Sequence, residues 1–136
     1  MTNATGSCLC GTVRYTVNEP IRSLGHCHCN MCQHYHGTAY STYAMIPRNA
    51  FSFTAGEDGL TVYRSSDPVE RAFCGKCGSP ISYTHADSQD NIWVTAGSLD
   101  VEPECKPQYH IFVADKVPWL EINDNLPQYS GFPPNH

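Results

Sequence analysis

A chain of 136 residues, 40% hydrophobic and 15% charged, has the size of one ordinary domain and a globular composition, which excludes a disordered or membrane-bundle protein. Its formal charge of -5 leaves eight scattered Lys and Arg, and that argues against nucleic acid as a partner, since phosphate binding draws on clustered cations. No apolar run approaches the length of a membrane span, and Met1 to Gly6 lacks the charged start and apolar stretch of a signal peptide. The expectation is one cytoplasmic domain over 1–136, with no membrane partner and an oligomeric state that the sequence leaves open.

Short β-rich runs follow one another, bounded by Gly, Pro, Asn and Asp. They cover 12–17, 39–46, 60–63, 81–84, 92–95 and 109–113. Val13 and Tyr15 alternate with Arg14 and Thr16, the pattern of a half-buried antiparallel strand. The one helical stretch predicted is a turn or so around Asn30 to His36, because ten Gly and ten Pro punctuate nearly everything else. An all-β fold follows. The Pro-rich, aromatic stretch from Pro118 to Pro134 is expected to lie over the sheet, since Trp119, Leu120, Ile122 and Leu126 are costly to leave in water.

Eight cysteines in a reducing compartment point to metal rather than disulfides. Two pairs, Cys8-Leu9-Cys10-Gly11 and Cys74-Gly75-Lys76-Cys77-Gly78, each end in a glycine that tolerates the backbone of a tight ligand loop. The favoured division gives these two pairs to one closed, structural zinc site of four sulfurs, although sequence alone leaves other pairings of the cysteine motifs open. Cys27-His28-Cys29-Asn30-Met31-Cys32 offers three sulfurs from one short segment, the pattern of a zinc that keeps a position open for substrate. The alternative is that His26, His28, His34 or His36 closes this second site. Two zinc ions per chain are therefore expected, and zinc is favoured over an iron–sulfur cluster because three cysteines fall one short of the usual four. Cys105 belongs to no motif and reads as a buried or idle thiol.

An open site of three thiolates is a poor acidifier of water but suits a fourth sulfur, so the chemistry points to a thiol substrate. The stretches Gly6 to Val13, Cys27 to Cys32 and Phe73 to Gly78 resemble the glutathione-dependent formaldehyde-activating enzyme family, which includes centromere protein V. Val94 to Asp100 and His110 to Val113 extend the likeness, which runs from Gly6 to about Pro127. The resemblance implies an Mss4-like, β-tent fold. It also implies Cys8, Cys10, Cys74 and Cys77 as structural ligands and Cys27, Cys29 and Cys32 as catalytic ones. The activity implied is that of a carbon–sulfur lyase, joining glutathione and formaldehyde as S-hydroxymethylglutathione. His26, His28, His34 and His36 are candidates for a proton shuttle, since an unperturbed histidine titrates near neutral pH, but for any one of them a surface or hydrogen-bonding role is the favoured reading. Arg22 is the cation nearest the triad in sequence, whereas Arg14, Arg48, Arg64 and Arg71 reach it only through folding. The competing reading is a non-catalytic, zinc-stabilised interaction module of the same fold.

Overall fold

The computed structural model describes residues 4–134. Along the chain its strands are Ala4–Ser7 (β1), Arg14–Val17 (β2), Leu24–Cys27 (β3), Ser41–Pro47 (β4), Phe51–Ala55 (β5), Leu60–Ser66 (β6), Val69–Cys74 (β7), Pro80–His85 (β8), Asn91–Thr95 (β9) and His110–Ile111 (β10). A single α-helix among the described residues, Asn30–His36 (α1), lies between β3 and β4. The strands form a three-stranded sheet in the order β1-β2-β5 and a seven-stranded one in the order β10-β3-β4-β9-β8-β7-β6. Every pairing is antiparallel except β10 on β3, where Ile111 stands opposite Cys27. The fold is all-β, as expected.

The core is built where apolar side chains of the two sheets meet. Val13 from the β1–β2 connection and Tyr15 and Val17 from the small sheet cluster with Ala44, Ile46, Ile81 and Val94 from the large one, all at 1% exposure or less. Each such side chain contributes about 1.5–3 kcal/mol by leaving water, which is what holds strands this short together. The alternation predicted for β2 is observed, with Tyr15 and Val17 buried and Arg14 exposed.

Four strands lack a clear signal in the sequence. Strand β1 is Ala-Thr-Gly-Ser, with no large apolar residue, and forms because Gly6 makes room for Tyr15: a Cβ at Gly6 would lie 2.0 Å from the Tyr15 ring. Strand β3 carries a glycine and runs into the cysteine triad, β5 is short, and β7 carries Glu70 and Arg71. The C-terminal stretch does lie along the sheet: His110 N–H donates to Pro127 O at 2.9 Å and Tyr129 N–H to His110 O at 2.9 Å. Trp119 departs from the expected burial, standing 72% exposed, because backbone contacts rather than its ring dock this segment. No helix among the described residues is long and apolar enough to cross a membrane.

Candidate metal centre and substrate pocket

The eight cysteines are free thiols, and seven of them converge on two points. The Sγ atoms of Cys8, Cys10, Cys74 and Cys77 all lie within 4.8 Å of one another, as do those of Cys27, Cys29 and Cys32. The first cluster joins the β1–β2 turn to the β7–β8 turn. Its two loop-closing glycines, Gly11 and Gly78, have φ of 80° and 82°, a region closed to most L side chains. Backbone N–H groups converge on the sulfurs: Val13 donates to Cys8 Sγ at 3.3 Å, and Lys76 and Cys77 donate to Cys74 Sγ at 3.4 Å each. Such donors favour thiolates. Cys105 stays apart, packed against the core with its thiol pushed up by burial.

The second cluster grows from the end of β3 and the start of α1. Cys27 ends the strand, Cys29 caps the helix by accepting the Cys32 N–H at 3.3 Å, and Cys32 is buried in the first turn. Gly37, at φ 64°, stops the helix after seven residues. The mutually close donors here are three sulfurs alone, and no histidine nitrogen joins them among the described residues. His26 Nδ1 lies 2.7 Å from Thr42 Oγ1, His36 Nε2 lies 2.6 Å from Tyr43 Oη, and His34 is exposed.

His28 turns away into a hydrogen-bonded chain that runs from the interior out to the exposed Asp124. Asp124 accepts from His110 Nε2 at 2.9 Å, which leaves His110 Nδ1 to accept the His28 Nε2 proton at 2.8 Å. His28 is fully buried, and burial pulls its pKa down to about 4, so the ring is neutral in this arrangement. Together with the His28 N–H bond to Ile111 O at 3.0 Å, the chain fixes the loop between Cys27 and Cys29.

Arg71, from β7, is the cation that folding brings to the triad. It is 4% exposed, with Nη2 3.9 Å from Cys32 Sγ, Nη1 donating to Tyr43 Oη at 3.2 Å and Nε to Ser65 Oγ at 3.1 Å. Its guanidinium also lies over the rings of Tyr35 and Tyr83. Contacts with Cys27 and Cys29, and the nearby Arg71 charge, hold the Cys32 thiol far below the ordinary range. Burial raises Tyr43 well beyond the usual tyrosine range, so its neutral hydroxyl can donate to His36 while accepting from Arg71. The signal for Arg71 was a charge in phase with Val69 and Phe73 on a strand. Arg22, the nearest cation in sequence, does not line the cavity.

The triad forms part of the wall of a cavity of about 350 Å³. Tyr83 and Trp93 stack at 4.9 Å and 4°, with the edge of Tyr43 on Tyr83, while Phe112 meets Phe132 at 4.8 Å. Phe112 has φ 56° and ψ 39°, and it is the one non-glycine residue at positive φ among those described. A left-handed backbone costs a bulky side chain about 1–2 kcal/mol. None of these aromatic residues was singled out in the sequence, where they read as strand or core.

The sequence profile of the family described as glutathione-dependent formaldehyde-activating enzyme matches residues 3–115, most of the chain. The chain belongs to that family. A relative from Halomonas elongata, provisionally named a glutathione-dependent formaldehyde-activating enzyme, is 25% identical over 94% of this chain and 87% of its own length. A Penicillium rubens protein with the same provisional name is 30% identical over 92% of this chain, which spans 56% of that longer protein. A crystal structure of a Rhodobacter sphaeroides protein shares the fold, with a TM-score of 0.61 at 20% identity over 76% of this chain and 91% of its own. The family assignment agrees with the resemblance carried by the three cysteine motifs.

Proposed function

We propose that this family member is a zinc-dependent enzyme of the carbon–sulfur lyase type, making and breaking the bond between a thiol sulfur and an aldehyde carbon. In this reading Cys8, Cys10, Cys74 and Cys77 hold a structural zinc, and Cys27, Cys29 and Cys32 hold the reactive one. The observation that carries it is the difference between the clusters. Four sulfurs complete a tetrahedral set, whereas three leave one position for a ligand arriving from the cavity they line. The donors fit the metal, since three closely spaced thiols are soft ligands. Arg71 favours the Cys32 thiolate, while the neighbouring thiols and burial push Cys27 and Cys29 up, a cost that a cation bound among them would offset. Bound at the triad, Zn²⁺ supplies the positive charge that lets an incoming thiol lose its proton near neutral pH.

The chain's own residues prepare the site in three ways. Arg71 offsets the negative charge of the triad, so a further sulfur anion meets less repulsion. Tyr43 and Ser65 fix the guanidinium, and the His28–His110–Asp124 chain fixes the loop that carries Cys27 and Cys29. The aromatic wall lowers the polarity beside the reacting sulfur, which strengthens charge interactions there. In the addition, the sulfur electron pair forms the S–C bond and the carbonyl π pair moves to oxygen. The proton released by the thiol ends on that oxygen, so no oxidant or reductant is consumed.

Glutathione and formaldehyde, giving S-hydroxymethylglutathione, are the pair that the family description supports, and a reducing cytoplasm would keep the thiols free. The test uses zinc-loaded protein and a panel of charged and neutral thiols with formaldehyde, following the approach to equilibrium with the adduct. Acceleration above buffer for at least one thiol, lost in Cys27→Ala while about one of two zinc ions is retained, is the expected result. If no thiol in the panel is accelerated, the enzymatic reading fails and a zinc-stabilised interaction module takes its place.

A further inference from the structure

We propose that the cavity beside Cys27, Cys29 and Cys32 selects an uncharged thiol bearing an aromatic or branched apolar group, and discriminates against a thiol that carries two carboxylates, as glutathione does. The inference rests on the thiol reading above and concerns which thiol the site takes.

Charge is the first argument. Recognition of a carboxylate in a confined site calls for Arg or Lys with free donors. Arg71 is the one Arg or Lys side chain lining the cavity, and three of its five N–H donors already face Cys32, Tyr43 and Ser65; His85 also lines it, its Nδ1 taken up by the Asp87 N–H. The lining also includes Asp115, which adds a negative charge. Two carboxylates brought here would share the two remaining donors of one guanidinium already set against the thiols, and a buried charge that is incompletely paired is disfavoured.

Shape and chemistry of the walls supply the second argument. Tyr83, Trp93, Phe112, Phe132, Val69 and Ile111 present faces that suit an apolar group. A volume of about 350 Å³ stands at the small end of ligand cavities, room for a ring or branched chain next to the reacting sulfur. The third argument comes from the backbone. A glycine at position 112 would relieve the left-handed conformation, yet the chain keeps a phenylalanine there, with its ring against Phe132 and lining the cavity. A side chain retained at the expense of strain is one the cavity uses. The larger cleft of about 650 Å³, lined by Arg48, Phe51, Phe53 and Glu57 among others, has no cysteine or histidine in its lining and gives no competing reactive site.

The test uses zinc-loaded protein carrying Trp119→Phe, so that Trp93 is the sole tryptophan and its fluorescence reports on the cavity. Benzyl mercaptan, glutathione and benzyl methyl sulfide are titrated, and the two thiols are also followed kinetically with formaldehyde. Benzyl mercaptan should bind at least tenfold more tightly than glutathione and be turned over with a correspondingly larger kcat/KM. Phe112→Gly should weaken benzyl mercaptan binding about tenfold without lowering the thermal midpoint, because the backbone relaxes. Glutathione binding as tightly as benzyl mercaptan, or more so, overturns the proposal and leaves the thiol chemistry standing. If both benzyl compounds quench Trp93 with at least tenfold tighter binding than glutathione and no thiol is accelerated, the selectivity of the cavity is upheld and the enzymatic reading is what fails. Absence of quenching by either benzyl compound overturns the proposal. The ranking on the chain with Phe112 intact decides the matter even if Phe112→Gly does not fold.

Discussion

Replacing Cys8 should damage the fold more than replacing Cys29, and the size of the difference follows from what each cluster ties together. The four-sulfur cluster connects the β1–β2 turn to the β7–β8 turn, whereas the triad lies within a single short segment. Treating a bound metal as a cross-link, closing about 66 residues between Cys8 and Cys74 removes about 4 kcal/mol of unfolded-chain entropy. Closing the roughly five residues from Cys27 to Cys32 removes about 2 kcal/mol by the same relation. The metal–sulfur bonding lost is of the same kind in both variants, so the difference is at most about 2 kcal/mol, reached where Cys8→Ser gives up its ion rather than keeping it on Cys10, Cys74 and Cys77. For a chain of this length that corresponds to at most roughly 7 °C in thermal midpoint. Cys8 is also buried in the core at 5% exposure, which adds a desolvated hydroxyl to the cost in Cys8→Ser. The assay is thermal unfolding of zinc-loaded Cys8→Ser and Cys29→Ser, with zinc content measured on the same samples. Equal midpoints, or a lower one for Cys29→Ser, would refute the division into a structural and a reactive cluster.

The convergence of the cysteines was legible in the sequence because cysteine spacing is a local property that survives folding: sulfurs two to five residues apart stay close enough to share one ion. Pairing Cys8 and Cys10 with Cys74 and Cys77 required one further step, that neither pair completes a site alone, and the folded chain brings those four sulfurs together. Helix α1 was legible for similar reasons, its ends being set by Cys29 and Gly37. Strands with a β-branched or aromatic pattern were found, but β1 was hidden because its reason for existing is a contact with Tyr15, nine residues away from Gly6. The same holds for the pocket. Tyr43, Arg71, Tyr83, Trp93 and Phe112 come from four strands and a turn, and each alone reads as core or surface. Arg71 was read only as a cation that reaches the triad through folding; its phase with Val69 and Phe73 marks the face it shares with them, but which partners it meets there is set by distant strands. The histidines show the converse. Their position beside the cysteines suggested ligands or proton carriers, yet His28 is turned to His110 and Asp124, and the partner that decides this lies 82 residues along the chain.

Two further predictions bear on the groups that fold and charge have perturbed. Burial pushes the Tyr15 hydroxyl up to about 12, partly countered by its 2.6 Å contact with Ser98 Oγ. Its unfolded value is about 10, so between about pH 10 and 12 the folded state holds a proton that the unfolded state has lost, and stability falls as pH rises through that window. Tyr15→Phe should therefore flatten the alkaline limb of urea midpoint against pH by about 2–3 kcal/mol, and an unchanged limb would place the titration elsewhere. The second prediction concerns Arg71. Three thiolates and one Zn²⁺ leave a site with about one net negative charge, and a bound substrate thiolate makes it about two. A guanidinium about 4 Å from Cys32 Sγ interacts with a thiolate there by about 4 kcal/mol at an effective dielectric near 20, part of which offsets its own burial. Arg71→Met keeps an apolar side chain under Tyr35 and Tyr83 but leaves this charge without a counterpart. It should weaken thiol binding, read from the thiolate absorption of cobalt-substituted protein, by tenfold or more. Arg71→Lys keeps the charge, loses the planar fork that spans Tyr43 and Ser65, and should fall between. If Arg71→Met retains its full metal content and binds thiols as tightly as the unmodified chain, the guanidinium serves packing alone and the electrostatic account of the site is wrong.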